Sequence, residues 1–138
     1  MAKPREPWNI RPARKPASVT ASIKAEVEAK ARDLIENVLK PRYVKPPKKG
    51  EQFNYITDIT AKWFRNNFYF FSTWACPSPN ALSPTFEATF ARMEPLRDGS
   101  FALYAMRYTG NEWVGVCDAL TADECMKSIQ DDPWFTLA

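Results

Sequence analysis

Seven aromatic rings fall between Trp63 and Trp74: Trp63, Phe64, Phe68, Tyr69, Phe70, Phe71 and Trp74. A β-strand points successive side chains to opposite faces. Phe68, Phe70, Ser72 and Trp74 therefore share one face, and Tyr69, Phe71 and Thr73 share the other. A strand with one wet face alternates apolar with polar residues, and this one does not. The expectation is a central strand covered on both sides, its rings mainly core. A long helix would cover one face. A C-terminal helix, the Trp134-Phe135 tail or a second subunit would cover the other.

The helix that could do this lies upstream. Val19, Ile23, Val27, Ala31, Leu34, Ile35, Val38 and Leu39 recur at spacings of three and four, one face of a helix. The pattern predicts a helix over residues 19–40, capped by Ser18 or Thr20 and stopped by Pro41. Residues 1–17 carry four prolines among Lys3, Arg5, Arg11, Arg14 and Lys15. They read as a basic, extended arm ahead of one domain over residues 18–138. Residues 41–50, PRYVKPPKKG, form a second basic, proline-rich linker.

Beyond the linker the sheet is expected over residues 53–118. Phe53–Phe64 and Phe68–Trp74 flank a turn at Arg65-Asn66-Asn67. Thr85–Glu94 and Phe101–Tyr108 flank PLRDGS, and Thr109-Gly110-Asn111 reverses the chain into Glu112–Cys117. Short turns enforce antiparallel neighbours. Thr121-Ala122-Asp123-Glu124 has the Thr-x-x-Glu form of a capping box and opens a helix over residues 121–131, closed by Pro133. The fold class is α+β: a long N-terminal helix packed on an antiparallel meander of about five strands, then a short C-terminal helix.

Residues 85–138 place three strands and Trp113 ahead of TADECMKSIQDDPWF. In this they resemble small bacterial domains of unknown function. There, a strand meander runs into an acidic helix closed by an Asp-Pro-aromatic signature, here Asp132-Pro133-Trp134. The resemblance implies a fold and no activity.

The residue inventory excludes much chemistry. The chain has no His, which removes Ser-His-Asp and Cys-His catalysis and His metal ligands. Its four glycines form neither GxGxxG nor a Walker loop. Cys76, Cys117 and Cys125 contain no CxxC, which argues against a disulfide scaffold and Cys/His zinc. No DxDxDG-like spacing calls for calcium. No catalytic residue, cofactor or metal site is expected. With no secretory apolar stretch and no membrane-spanning run, the reading is soluble and cytoplasmic.

Charge is unevenly placed. Residues 1–50 carry a balance of +8 and residues 51–138 one of −5, within a net charge of +3. The basic segments supply candidate phosphate contacts at Arg11, Arg14, Lys15, Arg42, Lys45, Lys48 and Lys49. Trp8, Tyr43, Trp113 and Trp134 are candidate interface rings. Asp131 and Asp132 end a helix, where the dipole disfavours acids, so they either seek an external partner such as the basic arm or stand in water at a small cost. The leading reading is a non-catalytic binding or assembly module whose partner is a protein or a second copy. Nucleic-acid binding through the arm and linker is the alternative. A small-ligand pocket between helix and sheet, served by Tyr55, Asp58 or Arg107, is the third.

Overall fold

Thr20 opens the first helix: its Oγ1 accepts the Ile23 N–H at 3.2 Å. The structure, a computed structural model, describes residues 18–137. Helix α1 (Ala21–Leu34) widens into a π-helical turn (Ile35–Leu39) and closes with a short α2 (Lys40–Tyr43). The helix thus runs through Pro41 rather than stopping after Lys40. The π turn is the reason. It bonds the Lys40 N–H to the Ile35 carbonyl five residues back, shifting the carbonyls that the proline ring would otherwise meet.

Five strands follow: β1 (Tyr55–Phe64), β2 (Asn67–Ala75), β3 (Thr85–Pro95), β4 (Phe101–Arg107) and β5 (Glu112–Leu120). They pair antiparallel in chain order, a meander with β1 and β5 at its edges. The β1–β2 turn is the two-residue loop Arg65-Asn66, closed by the Phe64–Asn67 pair. Both turn residues have positive φ, 50° and 69°, the twist that matches a tight hairpin. The capping box of α3 (Ala122–Asp131) is complete. Thr121 Oγ1 accepts the Glu124 N–H, and Glu124 Oε1 accepts the Thr121 N–H. A 3-10 turn (Pro133–Phe135) then returns the tail to the sheet.

Register divides the sheet into two faces. Ala61, Phe70, Ala91, Ala105 and Val114 form one cross-strand row, and Trp63, Phe68, Met93 and Leu103 another on the same side. These rows meet Val27, Ala31, Leu34 and Leu39 of the N-terminal helix, Cys125, Met126 and Ile129 of α3, and Phe135 in one core. The two helices lie against each other, tied by Lys30 to Asp123 at 2.7 Å and by Arg42 Nη1 donating to the Gln130 carbonyl at 2.6 Å. Buried Ser72 is the polar member of this face. Its Oγ accepts the Trp74 indole N–H at 2.9 Å and donates to the Ala88 carbonyl.

Both helices and the Phe135 tail therefore cover the same face. As expected, β2 is an interior strand, between β1 and β3, but the expectation that it is covered on both faces is corrected: among the described residues no helix covers its Tyr69–Phe71 side.

Candidate functional site

The open face is built by the alternate residues of the same strands. Register sets Lys62, Tyr69, Arg92, Tyr104 and Gly115 in one row across β1 to β5. Cation and ring alternate along it, and the row ends where Gly115 has no side chain. The next row holds Thr60, Phe71 and Thr89 on β1 to β3, and Met106 pairs with Trp113 on β4 and β5.

The face is curled. Tyr69 on β2 and Trp113 on β5 bring their ring centroids to 6.1 Å across two intervening strands. Flat strands about 4.8 Å apart would hold their backbones roughly 14 Å from each other. Arg92 lies beneath this bridge, its guanidinium 4.1 Å from the Tyr104 ring centre and 5.0 Å from that of Trp113. Such contacts contribute about 0.5–2 kcal/mol each. They offset the burial of Arg92 Nε, which has no hydrogen-bond partner among the described residues. Lys62 sits over Phe71 at 5.1 Å and Arg65 over Phe64 at 5.2 Å, so each cation of this face rests on a ring.

Tyr104 is the perturbed group of the site. Partial burial, and then the Glu94 carboxylate that accepts its hydroxyl at 2.8 Å, push the phenol up to about 12, against the pull of Arg92. A raised folded-state value gives stability fully present below pH 10 and lost as pH rises toward 12. Replacing Tyr104 by Phe is therefore expected to remove one ionisation near pH 12 from the 295 nm titration curve. Below pH 10 the curve should not move; a loss there would mean the phenol titrates normally.

Arg11, Arg14, Lys15 and Trp8 lie outside the described residues. Arg42 is held on α3, Lys45 Nζ bonds the Pro41 carbonyl at 3.1 Å, and Lys48 and Lys49 are exposed in the linker. Tyr43 packs against the core, whereas Trp134 is 48% exposed beside the tail. Of the described candidate rings, Trp113 is the one that stands on the open face. Among the described residues Asp131 and Asp132 have local partners, while the basic arm expected to meet them lies outside the described residues. Lys127 reaches Asp131 at 2.8 Å, and Asp132 Oδ1 accepts the Trp134 N–H, capping the 3-10 turn. Tyr55, Asp58 and Arg107 do not converge: Asp58 pairs with Lys40 and Arg107 with Glu112.

The sequence alone singled out none of Lys62, Arg92 and Tyr104. Their signal was present in the period of two: Lys62, Tyr69, Arg92 and Tyr104 all fall on the positions facing away from Phe70. No helix among the described residues is long and apolar enough to cross a membrane. Comparison with known proteins finds one family model, described as "Domain of unknown function (DUF3024)", matching residues 19–136. No curated protein and no solved structure matches the chain.

Proposed function

The chain belongs to the DUF3024 family, and we propose that it is a non-catalytic binding module that holds single-stranded nucleic acid on the open face of its sheet. The observation that carries this reading is the alternation of Lys62, Tyr69, Arg92 and Tyr104 across the strands, with Trp113 bridging them. Single strands are held by rings that stack on bases and by cations that meet the phosphates between them.

Placement of charge supports it. Asp123, Glu124 and Asp131 belong to α3, on the covered side of the sheet, so much of the acidic excess is turned away from this face. Within it, Glu94 is engaged by the Tyr104 hydroxyl, and Glu87 lies further along β3, opposite Thr73. Residues 1–17 add five further Lys and Arg to the chain's long-range field.

Fluorescence anisotropy with labelled single-stranded and duplex oligonucleotides, at low and physiological salt, tests the reading. Single strands are expected to bind more tightly than duplex, with affinity that falls steeply as salt rises and as residues 1–17 are removed. No binding to any oligonucleotide at low salt overturns it and leaves a protein as the partner of this surface.

A further inference from the structure

Among the described residues strand β1 is an edge strand, and its outer side opens into a groove of about 350 Å³ against the N-terminal helix. The groove is lined on the helix by Glu28, Arg32, Glu36 and Lys40 and on the strand by residues 59–62. An unpaired edge is a template for another strand. We infer that this edge is the interface for a second copy of the chain, pairing β1 with β1 antiparallel about a two-fold axis at Thr60.

Charge complementarity under that axis carries the inference. An isologous contact must be complementary to itself when reversed. Along the helix the signs at four-residue spacing run negative, positive, negative, positive. Reversal sets Glu28 against Lys40 of the second copy and Arg32 against its Glu36. Along the strand, reversal about Thr60 sets Asp58 against Lys62 of the second copy, and Thr60 against itself. Opposite-charge and Thr–Thr pairs are favourable cross-strand neighbours.

The two elements share one axis. Lys40 Nζ lies 3.2 Å from Asp58 Oδ1, and the Trp63 indole donates to the Lys24 carbonyl at 3.3 Å. The helix therefore runs antiparallel to β1, and the turn level with Thr60 is the one around Leu34, midway between Glu28 and Lys40. The edge backbone also has donors to give. The Ile59 N–H donates to the side chain of the preceding residue, Asp58 Oδ1, at 2.9 Å. On pairing, that amide passes to a carbonyl of the second copy, and Asp58, bridged by Lys40 of its own chain, comes to face Lys62 of the second copy. The product is a ten-stranded sheet with both open faces on one side and both helix pairs on the other.

Sedimentation velocity on the full chain, without nucleic acid, tests this independently of the proposed ligand. The wild type is expected to sediment as a reversible dimer across the micromolar range. Arg32→Glu sets like charges against Glu36 of the second copy and should weaken the dimer by about tenfold or more. The swap Arg32→Glu with Glu36→Arg should restore it, with unchanged circular dichroism in each variant. A wild type that stays monomeric throughout, or a dimer indifferent to Arg32→Glu, overturns the inference.

Discussion

Phe70→Ala is expected to destabilise the protein by about 3–5 kcal/mol, and Phe71→Ala by less than about 1 kcal/mol. The residues are neighbours of the same type, and the difference lies wholly in which face they occupy. Phe70 has no exposed surface and lies between the small residues Ala61 and Ala91 on the flanking strands. Its ring meets Phe68 edge-on at 5.4 Å and Phe90 at 5.9 Å. Truncation removes these contacts and leaves a cavity that two alanines cannot fill. Phe71 is half-buried on the open face, against Tyr69 and beneath the Lys62 side chain. Urea unfolding with equal slopes for the three proteins measures both values. Equal losses at the two positions would mean the sheet is covered on both sides after all.

Trp113→Ala is the second large effect, and it should fall on binding rather than folding. A stacked base contributes about 1–3 kcal/mol, so loss of the Trp113 ring should weaken single-stranded oligonucleotide binding by roughly 5–150-fold. Removing the ring also uncovers Arg92 and breaks the bridge to Tyr69. Trp134→Ala is the control, since this ring is exposed but lies by the tail on the helix side of the sheet. Its affinity is expected to match the wild type. A uniform loss in both variants would point to general destabilisation or to non-specific ring contacts, and it would sink the assignment of the open face.

Much of the architecture is legible locally. The 3.6-residue stripe from Val19 to Leu39 marks the long helix, although its proline was no stop because a π turn made room for it. Thr121 and Glu124 mark the start of α3 through chemistry confined to one turn. Arg65 and Asn66 mark the hairpin because few side chains tolerate positive φ there and Asn is among them. The candidate site was half legible. Tyr69, Phe71 and Trp113 were in view, but Tyr104 was not, and the cations come from β1 and β3, so only register brings Lys62, Arg92 and Tyr104 into one row.

What the chain determines by itself is therefore the kind and order of its elements, since caps, turns and periodicity act over a few residues. The partition of the aromatic run between core and surface was decided by tertiary structure. A period of two separates Phe70 from Phe71, yet it is the remote Val27–Leu39 stripe and α3 that, by packing side by side on the Phe70 face, leave the other open. Burial is a property of what packs against a residue, and for this strand those partners lie tens of residues away in the chain.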